Sequence, residues 1–126
     1  DRFDLRLHVP RADADQLLGE VGGEPTASVA ARVAAARRRG SARGMAVNAL
    51  VPGSRLDEVA PLDRAARRLL AGLLARGGLS ARGLHRVRRV ALTLADLEGV
   101  DPPLTEEHVG TALGLRAELA TLQAAS

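Results

Sequence analysis

The run from Gly78 to Gly99 constrains the fold more than any other stretch, because it carries all the signals of one well-bounded helix. Ser80 is a favourable N-cap, and glycines flank the run where helices end. Arg82 therefore falls near the second helical position. A helix N-terminus carries about +0.5 of an elementary charge and unpaired N–H groups, so an arginine there is unfavourable unless it faces an anion. The pattern raises a phosphate-binding hypothesis for Arg82, against the alternative of a solvated surface arginine.

The side chains of this predicted helix divide into two faces. The apolar face consists of Leu84, Val87, Ala91 and Leu94, flanked by Val90 and Leu97. The opposite stripe is polar and consists of Arg82, Arg86, Arg89, Thr93 and Asp96. A charged solvent face is the favoured interpretation for Arg86 and Arg89. The alternative is that these two arginines contact a nucleotide or another domain.

The pattern along the chain predicts three parts. In residues 1–10, Phe3, Leu5, Leu7 and Val9 alternate with polar residues, which predicts a β-strand that Pro10 ends. Residues 11–53 are predicted to be a linker with one helix at about 28–39, and residues 54–126 a small helical bundle. A lone strand has no ladder partner, so we expect residues 3–9 to be disordered or to pair with another copy of the chain.

Composition excludes several classes of site. All 18 basic residues are arginine, so the chain has no lysine for a P-loop and cannot be a self-sufficient P-loop ATPase. It has no cysteine, which excludes thiolate zinc sites and thiol nucleophiles. No apolar run approaches the roughly 20 residues that span a bilayer, so we predict a cytoplasmic chain with no membrane partner.

The three histidines do not form a recognisable site. His8, His85 and His108 lie on three different predicted elements, far from one another in sequence. We therefore predict no metal site, and a helix-packing or solvated role for His85 in preference to a catalytic one.

Several of these motifs resemble one known family. The run LSARGLHRVRRVALTLADL, Leu79 to Leu97, resembles the sensor-2 helix of the Mg-chelatase-related AAA+ ATPases of the competence-protein (ComM/YifB) type. The opening DRFDLRLHVP resembles the segment that ends the ATPase core in that family. Residues 48–63 look like its segment before the lid, and 111–116 look like its closing helix. The resemblance implies a mainly α fold, a small lid-like helical bundle preceded by one β-strand of a severed ATPase core.

The resemblance also implies roles for individual arginines. Arg82 would be sensor 2 and contact an ATP phosphate, with Arg86 and Arg89 as weaker contacts. Arg2 matches the position of a candidate arginine finger, which neutralises charge on the ATP of a neighbouring subunit and in related NTPases raises the rate about 10³-fold or more. ATP and Mg²⁺ would be bound by the longer protein and not by this chain alone.

The implied partners are the protein's own N-terminal ATPase core and the neighbouring subunits of a homo-oligomeric ring, expected to be a hexamer. The resemblance further implies that the longer protein acts on DNA. An alternative from a different class stays open, a free-standing arginine-rich helical module that binds nucleic acid or protein, with a net charge of +3. A P-loop encoded upstream of Asp1 would separate the two hypotheses.

Overall fold

A computed structural model describes residues 3–19 and 22–125, with side chains in the last helix described as far as Arg116. Over these residues the chain is mainly α, as predicted. The helices are α1 (Ala14–Leu17), α2 (Thr26–Ala42), α3 (Leu56–Val59), α4 (Arg64–Ala75), α5 (Ala81–Glu98) and α6 (Glu106–Ala125). Two 3₁₀ turns, at 48–50 and 53–55, connect α2 to α3. None of the helices in the described ranges is long and apolar enough to cross a membrane.

The ends of α5 are those that its sequence predicts. The Ser80 hydroxyl accepts a hydrogen bond of 3.0 Å from the Gly83 N–H, which satisfies one of the unpaired donors of the first turn. Gly99 ends the helix in the left-handed conformation, with φ of 73°, which glycine adopts without a steric penalty. Asp63 caps α4 in the same way, through a 2.8 Å bond from Ala66 N–H.

Helix α5 is the central element of the fold. It packs against α6, α2, α3 and the 3₁₀ turn at 48–50. The core comprises Val51, Leu56, Ala60, Ala66, Leu70, Val87, Ala91, Leu92, Ala95, Leu104, Val109 and Ala112. A parallel β-bridge between Leu62 and Leu104 joins the segments that precede α4 and α6. Because α5 is surrounded on several sides, its position is fixed by the whole bundle.

Helix α2 is longer than the predicted helix at 28–39. It begins directly after Pro25, which makes no side-chain cap, and continues through Gly40 to Ala42. Gly40 is buried, and a Cβ there would lie 3.5 Å from the Asn48 side chain. Packing against α5 and the following turn therefore extends the helix past a glycine that the sequence treats as its end. The predicted division at residues 53 and 54 stays a prediction, although α2 packs on α5 across it.

The predicted N-terminal strand is wrong for the residues that the structure describes. Residues 3–10 form no strand, and the side chains of Phe3, Leu5, Leu7 and Val9 are 47–84% exposed. The alternating pattern is present, but a strand also needs a partner with which to form a ladder, and the described part of the chain offers none. The Arg6 N–H donates to the Leu115 carbonyl at 2.9 Å, which places the segment beside α6. The expected disorder of residues 3–9 stays a prediction. Pairing with another copy stays a prediction.

Candidate functional site

Arg82 lies in the first turn of α5 and is exposed. It makes no hydrogen bond or ion pair with any residue that the structure describes. The turn that carries it is tightly packed, because Gly83 is buried and a Cβ there would approach Leu79 Cδ1 to 2.9 Å. A side chain on a packed and capped turn starts from a fixed backbone position, which favours recognition of a ligand.

The next two arginines of the predicted polar face are partly buried and have partners. Arg86 Nε donates to Asp4 Oδ1 at 2.6 Å, and the Arg86 side chain is only 19% exposed. Arg89 Nε donates to the Val51 carbonyl at 2.9 Å. Asp4, Arg86 and Arg89 line a cleft of about 200 Å³ between the N-terminal segment and α5. Arg2, the candidate arginine finger, lies outside the described residues.

Arg88 is a polar site that the sequence analysis did not single out. Its guanidinium is buried, donates to Asp57 Oδ1 at 2.9 Å, and reaches the carbonyls of Leu56 and Ala60 at 3.0 and 2.8 Å. These bonds connect α5 to α3. The hydrogen bond from Arg88 holds the pKa of the Asp57 carboxyl below its usual range. Helical periodicity contained the signal, because residue 88 lies one turn after Leu84 on the buried face.

Asp96 lies on the predicted polar stripe of α5, yet the structure buries it. The Asp96 side chain is 1% exposed, because α2 and the 3₁₀ turn at 48–50 cover it. Both terminal nitrogens of Arg43 donate to its two carboxylate oxygens, and Asn48 Nδ2 donates at 2.8 Å. The hydrogen bond with Asp96 raises the pKa of Arg43, and partial burial opposes the shift. We call Arg43, Asn48 and Asp96 the Asp96 cluster.

The Asp96 cluster extends toward solvent through Arg39. Arg39 Nε lies 3.7 Å from Asp96 Oδ1, and Arg39 also pairs with the exposed Asp101. The cluster therefore holds α2 against α5 through groups that pair with one another. The Asp96 carboxylate finds its partners within the domain, so the cluster is a structural site rather than a ligand site.

His85 and His108 pack against other parts of the described structure, and His8 is exposed. The His85 ring lies directly over Gly53, where a Cβ would approach the ring atoms to 2.6 Å. His108 is buried, its Nδ1 lies 3.2 Å from the Thr105 N–H, and its Nε2 lies 2.9 Å from Glu98 Oε2. Within residues 3–19 and 22–125, no three His, Cys, Asp or Glu side chains lie together in a group that could hold a metal ion.

Fold and site together define a small helical domain whose central helix presents one exposed arginine at its start. Residues 23–116, most of the chain, match the family described as magnesium chelatase, subunit ChlI C-terminal. The chain belongs to this family, as its motifs predicted. It is a lid-type C-terminal domain of a Mg-chelatase-like AAA+ protein.

Individual relatives match almost the whole chain. It is 36% identical over 118 residues to the uncharacterized protein YifB of Escherichia coli K12, covering 93% of this chain and 23% of that protein. It is 32% identical over 124 residues to the competence protein ComM of Haemophilus influenzae, covering 98% and 24%. The uncharacterized protein Rv2897c of Mycobacterium tuberculosis is 40% identical over 120 residues, covering 92% and 24%. The chain thus spans about a quarter of the length of these curated relatives. No solved structure matches it significantly.

Proposed function

We propose that this domain is the lid of an ATP-hydrolysing ring and that Arg82 is its sensor-2 residue, which contacts an ATP phosphate. One observation carries the proposal. Among the four arginines of α5, Arg86, Arg88 and Arg89 bind other parts of the chain, whereas Arg82 is exposed and has no partner in the described structure. An unpaired cation at a helix N-terminus is electrostatically unfavourable, and a phosphate in front of it removes that penalty.

The residues present fit a phosphate. The guanidinium of Arg82 offers several N–H donors in a planar arrangement that matches phosphate oxygens. The unpaired backbone N–H groups at the start of α5 are also hydrogen-bond donors with partial positive charge, so they favour a phosphate as well. ATP supplies the phosphoanhydride bond whose hydrolysis powers the ring. Arg82 would orient the phosphate and report nucleotide state to the bundle, because α5 is packed against most of the domain.

The remaining parts of the nucleotide site are assigned to the longer protein. The chain has no lysine, so the P-loop would come from the ATPase core. We assign the ligands of Mg²⁺ to the same core. Arg2 would act on the ATP of the neighbouring subunit as an arginine finger. Mixed rings test this assignment, because subunits lacking Arg2 and subunits with a defective P-loop should restore hydrolysis together only if the finger acts between subunits.

We further propose that the longer protein is a cytoplasmic motor that acts on DNA. The name of one relative, competence protein ComM, supports this proposal. The test is ATP hydrolysis by the longer protein with and without duplex DNA. Stimulation by DNA supports a motor. DNA binding by the isolated chain that weakens with salt and survives Arg82→Ala would instead favour the nucleic-acid-binding module.

The decisive experiment is the ATPase rate of the longer protein with Arg82→Ala beside the wild type. We expect kcat to fall about 100-fold, the effect of removing one well-placed charge-stabilising donor. Arg68→Ala is the matched control, since Arg68 is also an exposed helical arginine but lies on α4. Oligomeric state is measured for all three proteins. An assembled Arg82→Ala variant with an unchanged rate would make Arg82 an ordinary surface arginine.

A further inference from the structure

Polar interactions join the N-terminal segment, residues 3–9, to the helical bundle. The Asp4 carboxylate pairs with Arg86 Nε on α5 at 2.6 Å, and the Arg6 N–H donates to the Leu115 carbonyl on α6 at 2.9 Å. The apolar side chains of the segment are exposed. Apolar burial therefore does little to hold the segment, and its position depends on polar contacts.

Arg86 lies where it can connect the N-terminal segment to the first turns of α5. It follows Arg82 by one helical turn on the same face of α5. Its side chain is 19% exposed, whereas that of Asp4 is 48% exposed. The arginine is thus the more buried member of the pair, and it lies on a helix that packs against several elements of the bundle.

We propose that Asp4 and Arg86 form a clamp that positions the N-terminal segment against the first two turns of α5. In this assignment Arg86 is a positioning residue and not a phosphate ligand. The proposal rests on the proposed function, because Arg2 precedes Asp4 by two residues and Arg82 precedes Arg86 by four. The clamp links the segment that bears the finger to the helix that bears sensor 2, so movement of the lid at one nucleotide site alters presentation of the finger to the next subunit.

The clamp is expected to affect the position of the N-terminal segment more than the stability of the folded chain. Partly exposed ion pairs contribute little to the stability of a fold. A small displacement of a catalytic group, by contrast, lowers a rate by up to about 100-fold. Loss of the clamp should therefore leave nucleotide binding through Arg82 intact and lower the rate of the chemical step.

The first test needs no nucleotide. Hydrogen exchange at the Arg6 amide is measured in the 126-residue chain, as wild type and as Asp4→Asn. We expect exchange to become about two- to fivefold faster in the variant, because the clamp limits local opening of the segment. Glu24→Gln is the matched control, since it removes the carboxylate of another exposed pair, Glu24 with Arg32. Unchanged exchange in Asp4→Asn would overturn the clamp.

The second test uses the longer protein. Asp4→Asn should lower kcat about tenfold and leave KM for ATP within about twofold, and Glu24→Gln should change neither. Asp4→Arg should be impaired, and combining it with Arg86→Asp should restore most of the rate through the exchanged pair. A normal kcat in Asp4→Asn, or a raised KM with normal kcat, would overturn the positioning role.

The two proposals fail in different ways. A fully active Arg82→Ala variant would refute the nucleotide role of α5, and exchange at Arg6 would still decide whether the clamp exists. An inactive Arg82→Ala variant beside a fully active Asp4→Asn variant would keep sensor 2 and remove the positioning role.

Discussion

Arg82 and Arg88 lie on the same helix, yet one is exposed without a described partner and the other is buried and donates to three oxygen atoms. Toward the end of α5, Asp96 is buried as well, between Arg43 and Asn48. The middle and end of α5 thus satisfy their charges inside the domain, whereas the first turn leaves a cation facing outward. The charged groups with internal partners connect the elements of the fold. The cation without a described partner, in the first turn of α5, is the one that an anionic ligand would stabilise most.

The largest loss of stability is expected for Asp96→Ala. The change leaves Arg43 and Asn48 without their carboxylate in a nearly dry position, so the free energy of unfolding should fall by about 3–5 kcal/mol. Urea unfolding of the 126-residue chain measures this loss. Asp101→Ala is the control, because Asp101 is 88% exposed and should cost less than about 1 kcal/mol. Equal losses in the two variants would contradict a buried structural role for Asp96.

The second largest loss of stability is expected for Arg88→Met, which should lower the free energy of unfolding by about 2–4 kcal/mol. Methionine retains much of the apolar stem but leaves the carbonyls of Leu56 and Ala60 without their donor. The same unfolding experiment gives the value, and Arg82→Met on the same helix is the control. If Arg88→Met lost no more stability than Arg82→Met, the contrast between a structural arginine in the middle of α5 and an exposed one in its first turn would be wrong.

A smaller effect should appear at acid pH. The pKa of Asp57 is lowered in the folded chain by the hydrogen bond from Arg88, so the stabilisation is complete above the unfolded pKa of about 4 and disappears as pH falls through the lower folded value. The wild type should therefore lose more stability between pH 5 and about pH 2 than Asp57→Asn does. Glu58→Gln, at the next residue, is the control. Parallel pH profiles for the wild type and Asp57→Asn would show that the pair contributes nothing.

The smallest effect on stability is expected for Arg82→Ala. Alanine favours the helix and removes a cation from its N-terminus, so stability should stay within about 0.5 kcal/mol of the wild type or rise slightly. Thermal and urea unfolding would establish this. A loss above about 1 kcal/mol would mean that Arg82 has a structural role, and the contrast with Arg88 would no longer support a ligand site.

Local signals predicted much of the fold. The Ser80 cap, the Gly99 end and the apolar spacing of α5 define a helix whose bounds the structure reproduces. These features could be predicted because capping and periodicity act within a few residues of the chain. The strand could not be predicted from alternation alone, because hydrogen bonds to a second strand are required to form a ladder.

The features of the candidate site likewise fall into those that local sequence determined and those that depend on tertiary contacts. Sequence by itself determined that an arginine lies in the first turn of α5, that the chain lacks the lysine of a P-loop, and that its motifs resemble one ATPase family. Only the tertiary structure decided that Asp96 is buried, that Arg86 pairs with Asp4, and that Arg82 alone among the α5 arginines faces outward without a described partner. Helical geometry fixes which residues share a face, but whether another segment covers that face depends on contacts between residues far apart in the sequence.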